Sequence, residues 1–396
     1  MLNSSIKEAI EPSAILVGRT DGILREIGRP LVEAGFQVTA FAPAGDPVWS
    51  LKGIQDVIEI PDIGVKEQIA FIFENQKIFR LAGWFFWSSN EMADAILSTK
   101  ISDEEKSRLL NGVLLTEAKI IGSRVNQVNL FNKSSLPLPR SRAIYSAAEL
   151  QSSKLSAPML VKADKGGGGE GIFEYVSGRN NRELSSMEFP VVLQEKVIGK
   201  TFHVEVFFAS GKLIYWAYSE EVDKGEGYGY CPTREYSLPQ DREFLDSITK
   251  LGEYLKLSGP VGTAFVRETS TGLCKLIEFD LNCGLWHHSF SFFRFPLVQA
   301  WRKALSGEVV QHLDLAPNIS NRIKLYDQQE ILGRALLKRK WSLWFIAFFG
   351  MRTRKWGTPM PSQFSRRIAI RQLMTKAIRK ASIVVIRYKS TLPFES

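Results

Sequence analysis

Residues 157–172, Ala-Pro-Met-Leu-Val-Lys-Ala-Asp-Lys-Gly-Gly-Gly-Gly-Glu-Gly-Ile, place Lys162 at the end of an apolar run. Gly166, Gly167, Gly168, Gly169 and Gly171 follow it. Glycines let backbone N–H groups turn toward a ligand, and a lysine adds a compact positive charge suited to phosphate oxygens. A polyglycine turn between two strands, with solvated lysines on either side, fits the same residues. The loop is neither G-x-x-x-x-G-K-[ST], since its lysines precede the glycines, nor a G-x-G-x-x-G opening a helix.

A second constellation lies in Lys275-Leu-Ile-Glu-Phe-Asp-Leu-Asn282. Alternation along a strand puts Glu278, Asp280 and Asn282 on one face. Their oxygens suit Mg²⁺, which takes one or two carboxylates and completes its shell with water and phosphates. A half-buried strand with one polar side is the plainer alternative. Between the two constellations, Gln194, Glu195, Lys196 and Val197 can offer backbone groups to a purine edge, and His203 a ring nitrogen to a ribose hydroxyl.

The elements that must position these residues follow from periodicity. Strand, helix and strand are expected over 14–18, 21–33 and 36–41, and Trp84-Phe-Phe-Trp87 leads into a helix from Glu91, so residues 1–120 read as an open α/β domain. Leu136-Pro-Leu-Pro139 favours an extended linker. Strands are expected over 191–197 and 201–208, a helix over 240–257, and a hairpin from Val261 to Asn282.

The 396 residues suffice for two or three packed subdomains. Three cysteines, Cys231, Cys274 and Cys283, sit outside metal-ligand spacing and argue for a reducing compartment. No secretory signal is visible at the N-terminus, and a cytoplasmic location is the expectation. The net charge of +9 is uneven, with +14 on residues 331–396 and −5 on the rest.

The order Val161-Lys162, glycine loop, Gln194-Glu-Lys-Val-Ile-Gly199, His203-Val-Glu-Val206, Gly259-Pro-Val-Gly-Thr-Ala-Phe265 and Ile277-Glu-Phe-Asp-Leu-Asn282 resembles the ATP-grasp superfamily over about residues 12–310. The fold class this implies is α/β, with α+β character in the ATP-binding part. Residues 1–120 would form the pre-ATP domain and 121–310 the ATP-grasp domain. Its small lobe would span about 140–195 and its large lobe about 196–310, with 311–396 a basic helical tail.

By position, Lys162 resembles the lysine that binds ATP phosphates, the glycine loop their lid, and Arg124 a substitute for the family's other phosphate lysine. Gln194, Glu195, Lys196 and Val197 match the adenine hinge, His203 the ribose contact, and Glu278, Asp280 and Asn282 the metal strand, with two registers open. The family's arginine position is Gly284 and its partner acid is Ala264. Arg267, with Glu268, could compensate from the hairpin.

The implied cofactors are ATP and Mg²⁺, or Mn²⁺ in its place. The implied reaction is activation of a carboxylate as acyl-phosphate for an amine or similar nucleophile; a degenerate fold that binds nucleotide without ligase chemistry is the alternative. The segment 220–236, with glycines, tyrosines and Arg234, could hold the substrate carboxylate.

The tail carries an eleven-residue, mostly apolar run, Trp341–Met351, between basic clusters. It is too short to span a bilayer, which needs about 20 residues as helix. Residues 334–389 suit an anionic membrane surface, which would make the protein peripheral on the inner face of the membrane. A helical cap on the ATP-binding domain fits them equally; for nucleic acid no recognition module is apparent.

Overall fold

The computed structural model describes residues 12–306, apart from the segments 19–22, 75–82, 88–89, 111–119, 121, 154–157, 167–168, 170, 177–186, 223–227, 229–230, 232, 238–241 and 282–284, and in addition residues 323–326. Gly167, Gly168, Glu170, Asn282 and Gly284 lie outside the described residues. So do the apolar run and both basic stretches of the tail.

The N-terminal part alternates strand and helix: β1 Ser13–Val17, α1 Ile23–Glu33, β2 Gln37–Ala42, β3 Asp56–Glu59, α2 Val65–Glu74, β4 Trp84–Trp87, α3 Asn90–Ser98 and α4 Asp103–Leu109. The strands pair in parallel in the order β3-β2-β1-β4. β1 is flanked by β2 on one side and β4 on the other, the arrangement that opens a crevice at the strands' carboxyl ends. Strands β1 and β4 are almost wholly apolar and covered on both faces, with Ile15, Leu16, Phe85 and Phe86 fully buried, as is Phe41 on β2, whereas the edge strand β3 is partly exposed and carries Asp56 and Glu59.

Next come α5 Arg124–Phe131, β5 Ser141–Ile144, α6 Ala147–Gln151, β6 Met159–Ala163, β7 Ile172–Tyr175 and β8 Val191–Glu195. The four strands form an antiparallel sheet in the order β5-β8-β6-β7. β6 and β7 are the arms of a hairpin whose tip is the glycine loop. Its stem closes through the Ala163 N–H, which donates to Gly171 O at 2.9 Å. Gly171 has φ +69°, and a Cβ there would lie 2.7 Å from that of Ala163, so both conformation and space require glycine.

A larger antiparallel sheet contains β9 Gly199–Ala209, β10 Lys212–Glu221, β12 Gly259–Glu268 and β13 Cys274–Asp280, in the order β13-β12-β9-β10. Between β10 and β12 the chain forms a short strand, β11 Thr233–Tyr236, and a helix, α7 Arg242–Leu255. The apolar stripe of α7, Phe244, Ile248, Leu251 and Leu255, covers one face of this sheet, with Phe244 against Phe202 and Phe265 at ring separations of 5.5 and 5.1 Å. The opposite face is therefore left to the cleft and to the helical turns after β13. α8 Ser289–Phe292 and α9 Leu297–Ser306 complete this unit.

Among the described residues, 231, 233–235 and 324–326 fall in a second compact unit, which holds most of β11 and of β14 Ile323–Tyr326. The strands and helices expected from periodicity are present, with the hairpin's second strand ending at Asp280.

Candidate nucleotide site

Two rows of side chains on the small sheet face a cleft of about 390 Å³. Strand register sets them: Lys162 stands beside Val192 and Ile172, and Gln194 beside Ser141 and Leu160. All six line the cleft, and so do Glu195, Lys196 and Val197 at the end of β8. On the facing wall, His203, Ala264 and Glu278 are cross-strand neighbours, and two residues along β13 Asp280 stands opposite Gly262. Glu278 and Asp280 are both solvent-accessible on that wall.

Lys162 is only 7% exposed, and its Nζ donates to Ile277 O at 3.1 Å. Burial lowers its pKa from 10.5 to about 8; nearby Glu278 opposes the drop and Arg124 adds to it. Arg124 opens α5 and forks onto the loop stem, with Nη1 on Ala163 O at 2.7 Å and Nη2 on Gly166 O at 2.8 Å. Neither cation has a carboxylate within ion-pair distance among the described residues. Asp164 accepts from Ser123 Oγ at 2.8 Å and from Val125 N at 2.9 Å, so the first turn of α5 is capped by protein.

The hinge is partly committed. The N–H groups of Glu195 and Lys196 donate to Arg140 O and Pro158 O, each at 2.8 Å, while among the described residues no group takes the Val197 N–H. The Glu195 carboxylate accepts from Arg140 N and Nε at 3.2 and 3.3 Å. Lys196 pairs with Glu174, which also accepts from Tyr228 Oη at 2.9 Å. His203 Nε2 lies 2.7 Å from Glu221 Oε1, and both residues line the cleft.

The structure thus brings Arg124, Lys162, Gln194, Glu195, Lys196, Val197, His203, Glu278 and Asp280 around one cleft. Gly169 and Gly171 belong to the adjoining loop. Arg267 is not brought there. Its guanidinium stacks on Phe202 and Phe244, 5.2 and 5.6 Å from the ring centroids, and its Nε donates to Cys274 Sγ at 3.2 Å, on the face covered by α7. Alternation along β12 already sets Arg267 against Ala264 and Val266, which do line the cleft. Arg234 is buried on β11, in the second unit. Glu174 escapes sequence reasoning; Tyr228 and Glu221 fall in the segment 220–236 expected to hold substrate, but their pairing with Glu174 and His203 is not foreseen. The signal for Glu221 is the β9–β10 register, which pairs His203 with Ser219, two residues away on the same face.

No protein-family model and no curated protein matches the sequence. Solved structures do match the fold. L-amino acid ligase from Bacillus licheniformis aligns with TM-score 0.57 at 15% identity, over 78% of each chain. Biotin carboxylase from Campylobacter jejuni aligns with TM-score 0.58 at 14% identity, over 77% of this chain and 73% of that one. N5-carboxyaminoimidazole synthetase from Staphylococcus aureus, solved with ADP, aligns with TM-score 0.58 at 11% identity, over 84% and 86%. The fold is ATP-grasp. In ATP-grasp terms, the cleft lies between the small sheet, which carries the glycine loop, and the large sheet, which carries the acidic row.

The donor set on β13 fits a hard divalent cation. Glu278 and Asp280 offer two carboxylates two residues apart on one strand, opposite Ala264 and Gly262, and among the described residues no group of three or more His, Cys, Asp or Glu could hold a metal ion, so the rest of a coordination shell would fall to water or phosphate oxygens.

Proposed function

We propose that this chain is an ATP- and Mg²⁺-dependent ligase that activates a small-molecule carboxylate as acyl-phosphate for attack by an amine or similar nucleophile. The observation that carries the reading is the pair Lys162 and Arg124, two cations without carboxylate partners among the described residues, facing the acidic row Glu278 and Asp280 across one cleft. A cleft with positive charge on one wall and metal-type oxygens on the other suits a metal-bound polyphosphate.

Lys162 would hold phosphate oxygens, and its cost of burial is offset once an anion replaces the Ile277 carbonyl. Arg124 holds the stem of the glycine loop and adds positive potential at its base. The open Val197 N–H is placed for a purine edge, and the His203–Glu221 pair for the ribose diol. Glu278 and Asp280 would hold Mg²⁺, which neutralises phosphate charge when bound. The work of such a site is positioning and charge neutralisation, and it needs no protein nucleophile. The L-amino acid ligase among the structural neighbours supports amino acids as the first substrates to try.

A second reading, a nucleotide-binding protein without ligase chemistry, is favoured by Ala264 and Gly262, which leave the cation ligands on a single strand. ADP release against panels of amino acids, peptides and sugar acids separates the two. The ligase reading predicts Mg²⁺-dependent ADP release with at least one carboxylate–nucleophile pair, lost in Lys162→Ala and Asp280→Ala. ATP binding with no turnover from any pair contradicts it.

A further inference from the structure

β13, which carries the acidic row, is the edge strand of the large sheet, so one side of its backbone has no strand partner. Three of its backbone groups are met from outside the sheet. Leu276 N donates to Pro137 O at 2.8 Å, Lys162 Nζ donates to Ile277 O at 3.1 Å, and Gln127 Nε2 donates to Phe279 O at 2.8 Å. Phe279 stands between Glu278 and Asp280, and the carbonyl that Gln127 holds belongs to the peptide joining Phe279 to Asp280. Gln127 lies one turn after Arg124 on α5, and its Nε2 also donates to Ile120 O at 3.1 Å, just ahead of the same helix. Both hydrogens of the amide are thus committed to backbone oxygens, which fixes which way round the group sits. One turn further on, Phe131 packs edge-on against Phe279 with ring centroids 5.4 Å apart. That apolar contact presses α5 onto β13 without direction, whereas the hydrogen bond sets where along the strand the helix rests.

Resting on the nucleotide reading above, we infer that Gln127 is a positioning residue that holds the Glu278 and Asp280 row in register with the phosphate side of the cleft. The same helix carries Arg124, which grips the stem of the glycine loop at Ala163 O and Gly166 O, so α5 ties the loop stem to the acidic row. The tie matters most with nucleotide bound. In that state Lys162 exchanges Ile277 O for a phosphate oxygen, and Gln127 keeps its hold on Phe279 O. Loss of Gln127 would let the edge strand drift from α5 while Lys162, Arg124 and the hinge kept their places. The metal's contribution to nucleotide binding would fall, and the nucleotide's own contacts would not.

The test measures ATP affinity of the full chain by equilibrium dialysis in EDTA and again in saturating Mn²⁺, a spectroscopic stand-in for Mg²⁺. The ratio of the two affinities is the metal's contribution. Gln127→Met, which keeps the volume and removes both donors, should lower that ratio about 5–10-fold and leave metal-free ATP affinity within about twofold. The electron paramagnetic resonance line shape of protein-bound Mn²⁺–ATP should change with it. Gln127→Asn keeps an amide at this half-buried position but is one methylene too short for Phe279 O, and it should behave as Gln127→Met does. A ratio and line shape unmoved in the two variants overturn the positioning role alone. Equal losses with and without Mn²⁺ also overturn it, because they mark a general structural role. A wild type that binds ATP with no gain from Mn²⁺ overturns the metal row and this inference with it, and a wild type that binds no ATP overturns the nucleotide reading itself.

Discussion

Replacing Lys162 with methionine should remove the phosphate charge and at the same time stabilise the ligand-free protein at neutral pH. The amine is buried with a pKa lowered from 10.5 to about 8, chiefly by loss of solvent. Between those two values the unfolded chain holds a proton that the folded chain lacks. Wild-type stability therefore rises with pH across that window, and the full cost of the buried charge is present below about pH 8. At about 1.4 kcal/mol per pH unit, that cost is about 3 kcal/mol. Methionine has similar volume and needs no solvation, but it leaves Ile277 O without its donor, which returns about 1 kcal/mol. Lys162→Met should thus be about 2 kcal/mol more stable than wild type in chemical unfolding at pH 7. The advantage should shrink as pH rises and reverse near pH 10.5. A variant destabilised at pH 7, or a stability difference that does not change with pH, would refute the argument that Lys162 is a strained charge awaiting an anion.

The same amine should take up a proton when phosphate arrives, because a polyanion favours its charged form. Calorimetry at pH 9 in buffers of different ionisation enthalpy should show uptake approaching one proton per ATP, and no uptake in Lys162→Met. Glu278→Gln and Asp280→Asn should each weaken Mg²⁺-supported ATP binding about tenfold while leaving metal-free nucleotide binding within about twofold, as measured by titration with and without EDTA. Arg267→Met should leave ATP affinity unchanged and lower stability by about 1–2 kcal/mol through loss of its stacking on Phe202 and Phe244; a lost nucleotide affinity would restore the catalytic role expected from sequence. The full chain should co-sediment with anionic vesicles and not with zwitterionic ones, in a salt-sensitive manner, if residues 334–389 engage lipid as their +14 surroundings suggest.

Much of this site was legible because it rests on local rules. Period-two alternation alone puts Glu278 and Asp280 on one face, and they do share the cleft wall. Lys162 was marked by the glycines that follow it, and α7 by its apolar stripe. What sequence withheld depends on register between distant strands. Glu221 meets His203 only because β9 and β10 pair in one register, and Ser141 meets Gln194 only because β5 lies beside β8. Arg267 shows the opposite case. Its charge suggested the site, but its odd position on β12 directs it to α7, where aromatic faces and a thiol accept it instead.

The central claim is that the cleft between Lys162 and the acidic row binds ATP. Equilibrium dialysis of labelled ATP with Mg²⁺, using wild type and Lys162→Ala side by side, tests it most directly. Saturable binding of one nucleotide per chain is expected in the wild type, with a loss of at least about tenfold in affinity in the variant. No saturable binding, or binding that Lys162→Ala leaves unchanged, would contradict it.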